Sequence, residues 1–195
     1  MNLSILNDAD FDSVFDLMSS SFPKDEMRSR EKQFLLLDKE EYQLWGVKDG
    51  NLLCGFFALW EFSDFIYIEH FAVAEHMRCS GFGGKMLDLL CSTAKKQIIL
   101  ESELPENELA VRRINFYIRH GFYKNGYPYI QPPCLFLGSC HTIHTQHHAS
   151  NIGCFIRGQE HKRVGNVLRL AQTAQGNLFD HRFDHFLGNG LHHAI

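Results

Sequence analysis

The chain has 195 residues, 45% of them apolar, and a formal net charge of −4, which bounds it to one core and gives no reason to expect a nucleic-acid or membrane partner. No apolar run is long enough for a transmembrane helix, and "MNLSILNDADFD" lacks the basic segment and apolar core of a signal peptide. Six cysteines (54, 79, 91, 134, 140 and 154), with no Cys-x-x-Cys pair, read as reduced thiols of a cytoplasmic protein.

"LSIL" (3–6) reads as a short strand, and Asp8 as the N-cap of a helix carrying Phe11, Val14, Phe15 and Met18 at helical spacing. A second helix is expected over 21–37, with Pro23 early, where its missing N–H costs little. "EYQLWGVKDGNLLCGFFALWEF" (41–62) is a pair of strands turning at Asp49-Gly50. "DFIYIEHFAV" (64–73) is apolar on both faces and so reads as a strand buried on both sides. A helix follows over 81–96, with Phe82, Met86, Leu87, Leu89, Leu90 and Ala94 as its apolar residues, and then the strand "QIILESE" (97–103). Residues 107–121 form a helix with Leu109, Ala110, Ile114, Tyr117 and Ile118 on one side and Gly121 as its stop; "FYKNGYPYI" (122–130) returns as a strand. The order β-α-α-β-β-β-α-β-α-β implies an α/β chain with a mixed sheet and helices on both faces.

The character changes after "QPP" (131–133). Nine of the 12 histidines lie from residue 141 onward, and "CHTIHTQHHASNIG" has no clean period. Residues 162–172 are the one candidate helix, weakened by Gly165. Residues 134–195 thus read as an atypical, His-rich tail with little apolar surface to offset its ordering entropy. His141, His144, His147 and His148 would share a face if helical, yet no acidic or cysteine partner is fixed beside them. Solvated histidines are the better reading, and no metal is expected.

The stretch "RCSGFGGK" (78–85) sits between the buried strand and the helix that follows it. N–H groups at a helix start are unpaired and partly positive, glycine lets a phosphate approach them, and an arginine adds a charged bond. The Walker A spacing and the dinucleotide fingerprint are both absent. The bland alternative is a tight turn that allows close helix–strand packing. Arg-x-x-Gly-x-Gly resembles the acetyl-CoA pyrophosphate loop of the GNAT N-acetyltransferase superfamily. "IEHFAVAEHMRCSGFGGKMLDLL" is similar to that family's strand–loop–helix block, and "FYIRHGF" (116–122) resembles its second block. The resemblance covers about residues 1–133.

This resemblance implies an α+β fold with a mixed, mostly antiparallel central sheet flanked by helices, and acetyl transfer from acetyl-CoA to an amine. Phe71, Ala72 and Val73 would serve the thioester and pantetheine arm, and Arg78, Gly81, Phe82, Gly83, Gly84 and Lys85 the pyrophosphate. Tyr117 maps to the family's acid; its bland alternative is a half-buried helix tyrosine. The candidate bases are Glu69 and Glu101. The latter matches a position where the ribosomal-protein acetyltransferases carry theirs, and Glu103 points the same way. A structural ion pair with Arg112 or Arg113 is the alternative. The chain departs from the family where an asparagine often stands, since Ala110 and Arg113 take the Asn and Ala positions. It departs again after Pro133, where the ending does not resemble the seventh strand. The final strand is expected to be missing or replaced, with "CLFLG" (134–138) the nearby segment apolar enough to stand in.

The expected partner is a small-molecule primary amine; carboxylates at 101, 103, 106 and 108 hint at a cationic one. A homo-oligomer stays open. Two other functions stay open with it: a CoA-binding domain without turnover whose tail makes the interactions, and a His-rich metal-binding module.

Overall fold

The computed structural model describes residues 1–103 and 105–124 in full, and residues 152–157 as backbone. Its elements are β1 (Ser4–Ile5), α1 (Phe11–Ser21), α2 (Arg30–Phe34), β2 (Tyr42–Asp49), β3 (Leu52–Glu61), β4 (Phe65–Val73), α3 (Phe82–Thr93), β5 (Gln97–Glu103), α4 (Glu108–Arg119), β6 (Tyr123–Lys124) and β7 (Ile152–Arg157). They form one sheet in the order β1-β2-β3-β4-β5-β7-β6. Every pair is antiparallel except β4 with β5, which the α3 crossover makes parallel.

The apolar pattern explains the layers. Leu53 to Trp60 on β3 are all buried, as the centre of a sheet covered on both faces requires. One face packs Phe11, Val14 and Met18 of α1 against Tyr42, Phe56 and Trp60. The other packs Met86, Leu87 and Leu90 of α3 and Ile114 and Tyr117 of α4 against Phe57, Ile68 and Leu100. The hairpin turns at Gly50, whose φ of +57° is the left-handed value that a two-residue turn needs.

Several expectations are corrected. Asn7, not Asp8, does the capping: its side chain accepts from the Ala9 N–H at 2.9 Å, and the Asp10 carboxylate accepts the Asn7 N–H in return. The helix expected over 21–37 is broken. Phe22 and Met27 are extended, Lys24–Glu26 make one 3-10 turn, and helix resumes at Arg30 under a Ser29 cap. Met27 and Arg28 are both buried in that break, so tertiary burial overrides local propensity there. On α4, Ala110, Ile114 and Tyr117 face inward, but Leu109 and Ile118 are exposed. The sheet has its final strand: Ile152–Arg157 pairs with β5 on one side and β6 on the other. "CLFLG", the candidate helix at 162–172 and the histidines from 141 onward lie outside the described residues.

Helices α3 and α4 meet at a glycine. A Cβ on Gly84 would stand 2.8 Å from two atoms of the His120 imidazole. That ring is fixed by Asp88 Oδ1 at 2.8 Å from its Nδ1, and lies against Phe116. Gly84→Ala should therefore lower stability by about 1–3 kcal/mol through overpacking, checked by chemical denaturation. A variant as stable as the parent would mean that the ring swings away freely.

Candidate functional site

β4 and β5 separate part-way along. They pair from Phe65 with Gln97 to Ile68 with Leu100, and no further. Beyond that point β5 follows β7 through Glu103, while β4 follows β3 through Val73. Glu69 and Glu101 are thus the first residues past the fork. Ala74 N–H donates to the Cys54 carbonyl at 2.9 Å, so alternation turns the backbone groups of Ala72 toward β3 and those of Phe71 and Val73 toward the opening. Of the three residues expected to offer N–H groups there, Ala72 is therefore spent within the sheet.

The turn that follows closes one end of the opening. Arg78 Nε–H donates to the Val73 carbonyl at 2.9 Å, and its terminal nitrogen lies 3.3 Å from Ser21 Oγ at the end of α1. Those two bonds leave guanidinium donors for a further ligand. Gly81 is the N-cap of α3, with φ +75° and no side-chain cap; no atom lies within 4 Å of where its Cβ would stand. The unspent N–H groups of the first helical turn, those of Phe82, Gly83 and Gly84, open beside that space. Phe82 is buried, so only its backbone can serve a ligand, whereas the Lys85 side chain is exposed. The other two glycines have a different task. A Cβ on Gly83 would touch Val73 at 3.3 Å and Phe71 at 3.6 Å, and Gly84 seats His120. Both let α3 lie close to its neighbours.

Glu69 is buried and doubly bonded to Arg28, at 2.6 and 3.1 Å. Arg28 also donates to Gln33, which in turn bonds Tyr42. Burial opposes the Glu69 charge, but the neighbouring His70 imidazole and the bonded Arg28 guanidinium outweigh it and bring the carboxyl to about 2. Such an anion suits an ion pair better than proton uptake near neutral pH. Its partner is Arg28, not Arg112 or Arg113; Arg113 pairs with Glu103. Glu101 and Glu103 are half-buried at the open end of β5, with buried Ser102 between them. Tyr117 lies on the inner face of α4 in edge contact with Phe116 and Phe122. Burial pushes its phenol up to about 12, with Arg113 opposing and Glu103 adding to the effect.

The fold coincides with that of known proteins. A family model described as acetyltransferase (GNAT) family matches residues 11–122. The chain belongs to the GNAT acetyltransferase family. It is 32% identical over 110 residues to "Putative acetyltransferase YjbC" of Bacillus subtilis, and spans about half the length of that relative, the match covering 55% of each chain. It is 29% identical, with a TM-score of 0.72, to a solved structure titled "Putative acetyltransferase from GNAT family" of Bacteroides thetaiotaomicron, covering 89% of this chain and 97% of that one. An aminoglycoside 6'-N-acetyltransferase complexed with coenzyme A shares the fold at 14% identity and a TM-score of 0.55, covering 80% and 96%.

The sequence points to the turn and to Tyr117, but it does not show Arg28, Gln33 and Tyr42 as partners of Glu69, nor His70. One signal for the last was available. Glu69-His70 is an adjacent polar pair in a strand whose other positions, 65–68 and 71–73, are apolar. Among the described residues, no cluster of His, Cys, Asp or Glu side chains is placed to hold a metal ion, and no helix is long and apolar enough to cross a membrane.

Proposed function

We propose that this chain transfers an acetyl group from acetyl-CoA to a primary amine of a small molecule, in the cytoplasm. The observation that carries this reading is the fork between β4 and β5. It leaves the Phe71 and Val73 backbone open beside the Arg78–Gly81 turn. The room around Gly81 fits the cofactor, because a Cβ there would fill the space from which helix N–H groups meet a pyrophosphate. Arg78 and Lys85 add charge at that end, and the Phe71 and Val73 N–H groups serve the pantetheine arm and the thioester oxygen.

The acceptor side is built from the Phe22–Ser29 loop, the β4 bend at Glu69 and the end of β5. Glu26 is exposed, yet its carboxyl is pushed up, first by partial burial and then by Asp25, with Glu103 adding and Arg113 and His70 opposing. The carboxylates of Glu26, Glu101 and Glu103 on this side suit a protonated amine. Tyr117, held protonated, donates a hydrogen bond to the sulfur as negative charge develops there. Full proton loss from a phenol near 12 to a thiolate of ordinary pKa about 8.5 would run uphill. One bond of that kind is worth about 1.5 kcal/mol, so Tyr117→Phe should lower kcat about tenfold with acetyl-CoA affinity unchanged. An unaltered kcat would return Tyr117 to a packing role.

The reading is tested with a panel of primary amines and acetyl-CoA, followed by thiol release and product mass. Release that depends on the amine supports it. Tight acetyl-CoA binding with no release from any amine would leave a binding domain instead.

A further inference from the structure

The register of β4 against β3 slips by one residue: Ala58 faces His70, but Leu59 faces Ile68. Glu69 is the extra residue of a β-bulge. In a regular strand, neighbours point to opposite faces. Here Glu69 and His70 both turn to the α1–α2 face, where Glu69 meets Arg28 and His70 meets Phe22 and the Glu26 carbonyl. The bulge is thus what sets an imidazole beside a carboxylate at the fork.

His70 is buried, with 6% of its surface exposed. Its Nε2 lies 3.2 Å from the Glu26 carbonyl oxygen. A carbonyl only accepts, so Nε2 carries the hydrogen and, in the neutral ring, Nδ1 carries the lone pair. That Nδ1 is buried, has no hydrogen-bond partner, and stands 3.7 Å from Glu69 Oε2. A buried lone pair facing a carboxylate oxygen is unfavourable as it stands and needs an explanation. Adding a proton to Nδ1 turns the same contact into an ion pair. Arg28 keeps Glu69 ionised throughout, so the carboxylate steadies the imidazolium and does not compete for its proton. The other charges facing the site are Glu26 and Arg28 from the loop and, farther out, Arg113 on α4 and Glu103 on β5; Gln33 and Tyr42 behind Arg28 are neutral. The Phe22 ring lies edge-on to the imidazole at 4.7 Å between centroids.

We propose that His70 Nδ1 is the proton acceptor for the amine, reached past Phe22 directly or through one water, and that Glu69 is the positioning carboxylate that stabilises the imidazolium. The inference rests on acetyl transfer to an amine. His70 takes one proton from the ammonium, and the neutral nitrogen forms its bond to the thioester carbon. The C–S bond breaks with its electron pair on sulfur, and the second nitrogen proton passes to that thiolate. The His70 proton returns to solvent, so one ammonium and one thioester give one amide, one thiol and one proton.

The decisive variant is His70→Gln. Its amide N–H can still donate to the Glu26 carbonyl, but it has no nitrogen that titrates. Acetyl-CoA affinity by calorimetry and the thermal midpoint should stay close to the parent's. For the best amine of the panel, kcat should fall about 10²-fold at pH 7, and the rate should recover only as the amine loses its own proton at higher pH. A parent that turns over while His70→Gln keeps the parent's pH–rate profile overturns the proposal and leaves the reaction standing. Nitrogen-15 NMR of the parent imidazole gives a readout that needs no turnover. The neutral ring should carry its hydrogen on Nε2, leaving Nδ1 as the open acceptor. A neutral ring with its hydrogen on Nδ1 overturns the proposal even if no amine is ever found. Thiol release from no amine at all sinks the reaction itself.

Discussion

Glu69→Gln should lower folding stability by roughly 3–5 kcal/mol at pH 7, the range expected when one partner of a buried ion pair is removed. The remaining partner sets the cost. Arg28 is 5% exposed, so the variant leaves a guanidinium in the interior without its carboxylate. The pH dependence follows from the depressed Glu69 carboxyl, about 2 in the folded chain against an ordinary 4.5. The unfolded chain binds the proton more readily, so the stabilisation is complete above pH 4.5 and is lost as pH falls toward 2. The difference corresponds to roughly 3 kcal/mol. Urea denaturation across pH 3–7 should show the parent and Glu69→Gln converging at the acid end. Replacing both partners with apolar residues, as in Arg28→Met with Glu69→Leu, should cost less than the single change, because no charge is then stranded. A Glu69→Gln variant within 1 kcal/mol of the parent at pH 7 would show that the pair does not fasten the Phe22–Ser29 loop to β4.

That loop also marks where sequence reading stopped. β2, β3, β4 and β5 were legible because each is a run of apolar residues bounded by turn residues, and α3 and α4 because their periods and end signals agree. The break at Met27 and Arg28 was not legible. Its cause is a partner 41 residues away, and nothing local distinguishes an arginine that turns inward from one on a solvated face. The same limit hid the roles of Gln33 and Tyr42. The bulge was partly legible, since Glu69-His70 interrupts an apolar strand, but only the register against β3 shows that both side chains share a face. β7 was missed for another reason. "IGCFIR" is six residues long and follows a histidine-rich stretch with no period, so composition masked a strand that pairing on both sides reveals.

The glycines of the turn show how far a motif alone can be trusted, and they give the sharpest test of the cofactor site. The sequence treats Gly81, Gly83 and Gly84 alike, whereas the structure separates them. Gly81→Ala places its methyl in open space at φ +75°, a conformation that costs an L-residue about 1–2 kcal/mol. The methyl also stands where a pyrophosphate would meet the helix N–H groups. Losing one charge-assisted bond of about 1.5–3 kcal/mol should raise the acetyl-CoA Kd by about 10- to 100-fold. Gly83→Val acts from the other side of the helix. Its Cβ already stands 3.3 Å from Val73 Cγ2, and the added methyls would press on β4 and on Phe71, at a further cost of about 1–3 kcal/mol. Its weaker binding should therefore come with a clear loss of stability, because the whole helix start is displaced. Calorimetry and denaturation at one salt concentration separate the two effects, since screening alters any phosphate contact. Binding lost in both variants, with the larger loss of stability in Gly83→Val, fits a pyrophosphate seated at Gly81. Parent-like affinity in Gly81→Ala would remove the turn from the cofactor site and leave its glycines with packing alone.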